Sequence, residues 1–350
     1  MLTWKTLLPV LIVVLLVIGA LLFRPGRAPN TLAVYTSVDA EYAAEMEKRF
    51  EKATGINVDI RPDSEKTKTF GLMERLKKAE GKPDADVFWN SEQSATQILA
   101  SNGLLEPYRS PNAESIPSEF KDPDGRWTGF GLRARVLIYN TNKVKPEEAP
   151  KSLEELTEPK WRGRFCIARP LFGTTRSHFV ALVLALGEEK GFEFLARLRE
   201  NGSAGGTKKW IVDGNSHSRD WVVRGQRDVG LTDTDDVYSA MERKAPVNFV
   251  LCSQTKEWPG VFTIPNTVSL LKGGPNPEAG KKFIDFLLSK ETEAWLASQG
   301  MKQTPVRADV PVPEGYPTMK EIKVANVDPA ELARQLESLS VRIDKFLRQD

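Results

Sequence analysis

Short apolar runs alternate with amphipathic segments along most of the chain, and this pattern is typical of an α/β protein. In the segment 39–53, Tyr42, Met46 and Phe50 recur at the spacing of one helical face. The predicted strands of this first part are 32–35, 56–60 and 86–89, and the predicted helices are 39–53, 69–79 and 92–101. Their β-α-β-α-β-α order predicts a mostly parallel sheet.

A second α/β alternation begins after residue 161. Its predicted strands are 165–168, 210–212, 229–231 and 247–252, and its predicted helices are 177–187, 192–199, 218–224 and 237–244. Two long apolar strands, 132–139 and 261–271, flank this part, and we expect both to cross between two lobes. Further helices are predicted at 277–287, 291–298 and 329–347.

These elements predict a two-lobed α/β protein with hinge strands that closes around a ligand. We expect residues 31–135 plus 265–310 to form the first lobe. The second lobe is expected to contain residues 136–264 plus 311–350. The length of 350 residues is sufficient for two domains with cores of their own.

The amino-terminal residues 1–30 are predicted to be a signal or anchor segment followed by a linker. Residues 7–23 form an unbroken apolar run between Lys5 and Arg24. As a helix this run would be about 25 Å long, slightly less than a hydrocarbon core of about 30 Å. Because an A-x-A-type cleavage site is weak here, we expect a retained anchor rather than a cleaved signal. The rest of the chain is expected in the periplasm or another extracytoplasmic compartment.

Composition excludes several classes of function. The net charge is +2, and no basic stripe with interleaved aromatic residues is present, so we expect no nucleic-acid partner. We also expect a monomer. Two cysteines and two histidines do not make a Cys/His zinc site of the usual signature. Cys166 and Cys252 lie in apolar, strand-like runs, which favours buried thiols, although a disulfide between them stays open.

Acidic residues follow the predicted strands where ligands bind in open α/β sheets, at the strands' carboxyl ends. Asp39 follows the first strand, Glu92 follows the third, and Asp235 and Asp236 follow 229–231. Four such carboxylates would raise one another's pKa values, and a hard, oxygen-loving cation would neutralise them. For Asp235 and Asp236 the alternative is the acidic first turn of a helix.

Basic and hydroxyl groups point to an anion as well. Arg133 and Arg135 alternate along the crossing strand, while Thr174 and Thr175 lie in a turn before a helix. Guanidinium groups, hydroxyls and backbone N–H groups at a helix start make a good anion site. The alternatives are ion-paired arginines and threonines that only cap the helix.

No Gly-x-Ser-x-Gly, His-Glu-x-x-His or P-loop motif is present, so we expect a binding protein without catalytic residues or a catalytic cofactor. One alternative is a small organic ligand, either a polyamine held by Asp235, Asp236 and Trp89 or a phosphonate held by the arginines and threonines. A metal-dependent hydrolase ranks last, because no nucleophile or base with a positioned partner is evident.

Several segments, in their order and spacing, resemble the extracellular solute-binding proteins of ABC importers, specifically the ferric-ion-binding group. They include SEQSA at 91–95, GLLEP at 103–107, RARVLIYN at 133–140 and PKWRG at 159–163. The resemblance implies a type II periplasmic-binding-protein fold and delivery of the ligand to a membrane permease. It also implies ferric iron or another hard metal cation as cargo, with a small synergistic anion as a further component.

The resemblance assigns roles to individual positions. Glu92 falls where that group has a metal-binding glutamate, and Asp39 falls where a histidine is often found. Arg133 or Arg135 falls where an arginine holds the anion, and the Thr174-Thr175 turn lies near the matching loop. Asp235 and Asp236 depart from the group, because they occupy the positions at which two consecutive tyrosines usually bind the ferric ion. Aspartate is ionised above about pH 4, so this pair would bind a cation without the proton release that tyrosine requires, and would suit ions less acidic than Fe³⁺.

Overall fold

The computed structural model describes residues 31–63, 70–79, 81–204, 209–253, 258–299 and 301–349. The predicted signal or anchor segment, 1–30, lies outside this range. Within the described part of the chain, no helix is both long enough and apolar enough to cross a membrane.

The described strands form one mixed sheet. They are β1 (Thr31–Thr36), β2 (Asn57–Pro62), β3 (Val87–Asn90), β4 (Leu105–Glu106), β5 (Thr128–Asn140), β6 (Phe165–Ala168), β7 (Ile211–Val212), β8 (Val229–Asp233), β9 (Val247–Leu251) and β10 (Thr263–Leu271). The strand order is β2-β1-β3-β10-β5-β8-β6-β7, with β4 paired to β10 and β9 paired to β5. Strands β1, β2 and β3 are parallel, as are β6, β7 and β8, whereas β5 and β10 run antiparallel to their neighbours.

The described α-helices cover the sheet. They are α1 (Ala40–Thr54), α2 (Phe70–Lys78), α3 (Gln93–Ser101), α4 (Gly173–Leu186), α5 (Glu188–Ser203), α6 (Asn215–Val223), α7 (Thr234–Glu242), α8 (Pro277–Leu287), α9 (Lys290–Ser298) and α10 (Pro329–Leu347). Short 3₁₀ turns lie at Pro111–Ala113, Ser118–Phe120, Pro146–Glu148, Glu154–Thr157 and Pro159–Trp161. Helix α1 buries Met46 and Phe50 on one face, as its periodicity predicts, and ends at Gly55, whose φ of 70° favours glycine.

Four helices, α4 to α7, begin three or four residues earlier than the sequence pattern predicts, and two of them bear on the site. Helix α7 starts at Thr234 rather than at residue 237, and α4 starts at Gly173 rather than at residue 177. In both cases the first turn is polar and carries no apolar periodicity. The consequence is that Asp235, Asp236, Thr174 and Thr175 all lie in first helical turns.

Strand β5 connects two hydrophobic cores. Its first part pairs with β10, and the part from Arg135 onward pairs with β8 and β9. Phe130 and Leu132 belong to the core of the β1–β3 side, whereas Leu137 and Tyr139 belong to the core of the β6–β8 side. Helix α10 joins the second core through its buried leucines, and it contacts both α3 and α4. The lobe boundaries expected from the sequence stay a prediction.

Candidate functional site

The loops that follow β1, β3, β6 and β8 meet in a cleft crossed by β5. Parallel pairing of β1 with β3 brings Ser37 beside Ser91, with 2.9 Å between their hydroxyl oxygens. Two cavities open at this cleft. One, of about 280 Å³, is lined by Tyr42 and is here named the Tyr42 cavity. The other, of about 390 Å³, is lined by Thr174 and is named the Thr174 cavity. Both are lined by Asp39, Ser91, Arg133, Arg219, Asp235 and Asp236.

Three aspartates form a carboxylate cluster at the junction of β8 and α7. Asp233, Asp235 and Asp236 each offer one oxygen, and these oxygens lie within 4.8 Å of one another. Asp233 ends β8, and the other two follow in the first turn of α7. Among the described residues this is the one group of three or more carboxylate, histidine or cysteine ligands at such spacing. The predicted ligands Asp39 and Glu92 line the same cleft but lie outside that group.

Burial and mutual repulsion make this cluster costly when it is fully ionised. Burial raises the pKa of Asp235 to about 7; the Arg133 charge opposes this shift, and the charges of Asp236 and Asp233 add to it. The pKa of Asp236 is also raised by burial and by Asp233, against hydrogen bonding from Thr232 and the charge of Arg219. A cation bound at the cluster would relieve this repulsion.

The two adjacent aspartates differ in their partners. Asp236 accepts hydrogen bonds from the Thr232 hydroxyl at 2.6 Å and from Arg219 Nη1 at 3.1 Å. Asp235 accepts one from the backbone N–H of Asp236 at 3.0 Å, and one of its carboxylate oxygens lies 3.7 Å from Arg133 Nη1. Its side chain keeps 29% of its surface exposed. Asp235 is therefore the member of the predicted pair that is more open to a ligand.

Glu92 caps helix α3. It is 5% exposed, and its carboxylate accepts hydrogen bonds from the backbone N–H groups of Ser94 at 3.2 Å and Ala95 at 3.1 Å. The Ser177 hydroxyl of α4 donates to the same carboxylate at 3.2 Å. Glu92 thus lines the Thr174 cavity, but its carboxylate oxygens already accept hydrogen bonds from the first turn of α3 and from α4.

Arg135 is fully buried and holds Asp233 rather than facing the cavity. Its Nη1 donates to Asp233 at 2.5 Å and to Thr174 at 3.2 Å, and its Nη2 donates to Thr175 at 3.1 Å. Its Nε donates to His178 Nδ1 at 3.4 Å. Every guanidinium nitrogen of Arg135 therefore already contacts a protein acceptor.

The two threonines complete this network from the first turn of α4. The Thr174 hydroxyl donates to Asp233 Oδ2 at 2.8 Å, and the Thr175 hydroxyl donates to Asn215 Oδ1 at 2.9 Å. Burial, with the Arg135 charge adding to it, holds the pKa of His178 well below its usual range, so this imidazole is neutral. The threonines line the Thr174 cavity, but their hydroxyls fix the Arg135–Asp233 pair.

Arg133 is the predicted anion ligand that faces both cavities. Its Nη2 donates to the backbone oxygen of Ser91, and its Nη1 lies 3.7 Å from carboxylate oxygens of both Asp233 and Asp235. Its Nε is buried and has no hydrogen-bond partner among the described residues. This nitrogen is a buried donor for which the described part of the chain provides no acceptor.

Three cleft residues were missed by the sequence reasoning. Asp233 lies in the acidic stretch after the predicted strand 229–231 but is not among the predicted ligands, Arg219 lies in the predicted helix 218–224, and Tyr42 lies on the apolar face of the predicted helix 39–53. Burial raises the pKa of Tyr42 to about 12. The charge of Glu41, a hydrogen bond to Glu41, and the charges of Asp39 and Asp235 add to the shift. Only the position of Asp233 at the carboxyl end of a strand could have indicated its role.

Known bacterial proteins are similar to this chain over most of its length. Iron uptake protein A1 of Synechocystis sp. is 30% identical over 307 residues, which are 85% of this chain and 82% of that protein. The major ferric iron-binding protein of Neisseria meningitidis serogroup B is 26% identical over 341 residues, which are 95% of this chain and 96% of that protein.

Solved structures share the architecture. The crystal structure of iron-bound HitA from Pseudomonas aeruginosa has a TM-score of 0.79 at 26% identity and covers 90% of this chain and 99% of its own. Apo ferric ion-binding protein A from Pasteurella haemolytica has a TM-score of 0.77 at 21% identity and covers 92% of this chain and 99% of its own. These likenesses confirm the expected two-lobed type II periplasmic-binding-protein fold.

A family model described as bacterial extracellular solute-binding protein matches residues 82–331. Since this match spans well over half of the chain, the chain belongs to the family of bacterial extracellular solute-binding proteins.

Proposed function

We propose that the protein is the substrate-binding component of an ABC importer and that its cargo is ferric iron or another hard metal cation. The names of its relatives support this proposal, since they include an iron uptake protein and a major ferric iron-binding protein. HitA, which is 26% identical, is described as iron-bound. The protein would act by closing its two lobes around the cation, without catalysis.

The observation that carries the proposal is the carboxylate cluster in the cleft. Oxygens of Asp233, Asp235 and Asp236 lie within 4.8 Å of one another, and oxygen donors suit hard cations. Arg135 already pairs with Asp233, so Asp235 and Asp236 are the members that we assign to the cargo, with Asp39 on the facing wall. Glu92 would hold the loop in place through the helix cap.

We further propose that a small anion completes the cation's coordination shell. Arg133 supports this, because its guanidinium lines both cavities and its Nε has no partner among the described residues. Arg135, Thr174 and Thr175 would act indirectly, by fixing the wall on which the carboxylates stand.

The partners and location follow from the same proposal. The loaded protein, a monomer, would deliver its cargo to a membrane permease from the periplasm or another extracytoplasmic compartment. Residues 1–30 would tether it to the membrane. The two lobes would follow the boundaries given above, with β5 and β10 as the hinge strands.

Thermal unfolding in the presence of cations tests this function. Ferric ion supplied as its nitrilotriacetate complex, together with Ga³⁺, Mn²⁺ and Ca²⁺, is titrated into the purified protein. A ligand that binds the native state at 100 times its Kd stabilises it by about 2.7 kcal/mol. We expect at least one cation to raise the Tm of the wild type and not that of Asp235→Asn. The matched control is Asp124→Asn, because that carboxylate is 70% exposed and does not line the cleft. If no cation raises the Tm, the cargo is not a metal.

A small organic ligand is the second candidate, favoured by the volume of the Thr174 cavity. At about 390 Å³ it exceeds the space that a bare ion needs, since a water molecule in the liquid takes about 30 Å³. Replacing Asp235 and Asp236 by Asn separates the ligand classes. Binding of a metal or a polyamine would be lost, whereas binding of a phosphonate would be retained or strengthened.

A further inference from the structure

The carboxylates of the cleft do not by themselves provide enough open oxygen donors for a hard cation. Such ions take about six oxygen ligands. Glu92 accepts hydrogen bonds from two backbone N–H groups and one hydroxyl, and Asp236 accepts them from Thr232 and Arg219. Asp233 is paired with Arg135. Besides the proposed anion, other residues that line the same cavity can supply further donors.

Tyr42 is placed to supply one of them. It lies three residues after Asp39, at the start of α1, and residues at this spacing share one face of a helix. The same cavity is lined by Asp39 and Tyr42 from the α1 side and by Asp235 from the α7 side. Its ring packs against the core that contains Met46 and Phe50, so the helix holds the residue at the cavity wall.

Two other tyrosines lie near the cluster but do not line either cavity. Tyr238 is buried in α7 and stacks on Tyr316, with their ring centroids 3.7 Å apart. Neither residue contributes to the wall of the Tyr42 cavity or of the Thr174 cavity. Tyr42 is thus the phenol that a cation between Asp39 and Asp235 would meet.

We propose that Tyr42 is a ligand of the cargo cation, which it binds as a phenolate together with Asp39 and Asp235. This rests on the proposed function, because it assumes a hard cation as cargo. On binding, the phenol O–H bond breaks, a bond forms between the oxygen and the cation, and the proton is released to solvent. No electron is transferred. A phenolate ligand restores the preference for strongly acidic ions such as Fe³⁺ that paired aspartates alone would weaken.

Visible absorption tests this assignment, because ferric phenolate complexes have a charge-transfer band that ferric carboxylates lack. The purified protein, Tyr42→Phe, Tyr316→Phe and Tyr108→Phe are each loaded with ferric nitrilotriacetate, and excess reagent is removed. The Tyr316→Phe variant tests the effect of removing another tyrosine hydroxyl near Asp235. The Tyr108→Phe variant tests the effect of removing one outside the cleft, where the Tyr108 hydroxyl donates to Asp285. Circular dichroism and the Tm without iron verify that each variant is folded.

We expect a visible band in the wild type and in both controls, and its loss in Tyr42→Phe. Ferric affinity in Tyr42→Phe should fall by at least about 10- to 100-fold, the loss typical of removing even an outer partner of a metal ligand. If the wild type binds iron without a visible band, or if Tyr42→Phe keeps the band, Tyr42 is not a ligand although the metal function stands. If the wild type binds only Mn²⁺ or Ca²⁺, the assignment of Tyr42 fails while the metal function stands. If no form binds iron, Ga³⁺, Mn²⁺ or Ca²⁺, the assignment and the metal function fail together.

Discussion

Replacing Asp235 by Asn should stabilise the unloaded protein at pH 8, even though it removes a residue that we assign to the cargo. The pKa of Asp235 is raised from 3.8 to about 7, because burial and the neighbouring aspartates disfavour its ionised form. Between these pH values the folded state binds a proton that the unfolded state has released. Protonated Asp235 therefore favours the folded state. Its contribution to the free energy of unfolding is fully present below about pH 4 and is lost as the pH rises through 7.

The magnitude follows from the size of that shift. A shift of about 3 pKa units corresponds to about 4 kcal/mol, at 1.36 kcal/mol per unit. Because 29% of the side-chain surface is exposed, solvent screening reduces this free energy, and we expect about 2 kcal/mol. The asparagine side chain carries no charge at any pH, so the variant should exceed the wild type in stability by about this amount at pH 8. The difference should vanish near pH 4.

The assay is urea unfolding of the wild type and Asp235→Asn at pH 4.5, 6 and 8 without added cation. Asp124→Asn is the matched control, and its stability should follow that of the wild type at each pH. Equal or lower stability of Asp235→Asn at pH 8 would refute the reasoning. It would mean that Arg133, 3.7 Å from the carboxylate, stabilises the ionised form by more than burial destabilises it.

Three other substitutions separate structural from ligand-binding roles. Arg135→Met should destabilise the protein by about 3–5 kcal/mol in urea unfolding, because buried Asp233 loses the cation that hydrogen-bonds it. A loss below about 1 kcal/mol would show that the pair is dispensable. Glu92→Ala should lower the free energy of unfolding by about 1 kcal/mol through loss of the helix cap while changing cation affinity less than tenfold by calorimetry. A larger affinity loss would identify Glu92 as a ligand. Arg133→Gln should remove any dependence of cation affinity on added carbonate or citrate, and unchanged dependence would place the anion elsewhere.

The order of helices and strands could be predicted from the sequence because it depends on local periodicity. The apolar spacing of α1 and the short apolar runs of β1, β3, β6 and β8 are properties of neighbouring residues. The first turns of α4 and α7 were missed for the same reason, since polar residues leave no periodic signal there. The carboxyl-end rule for α/β sheets then placed Asp39 and Asp235 at the cleft without knowledge of the structure.

The sequence by itself determined which elements form and which residue types gather at the ends of the strands. Only the tertiary structure decided how those residues share their hydrogen bonds. Arg135 pairs with Asp233, and Glu92 accepts from Ser177, through contacts between residues far apart in the chain. Tyr42 and Asp235 line one cavity for the same reason. Because a carboxylate that accepts several internal hydrogen bonds is less open to a ligand, these distant contacts decide which acidic residues of the cleft can bind cargo.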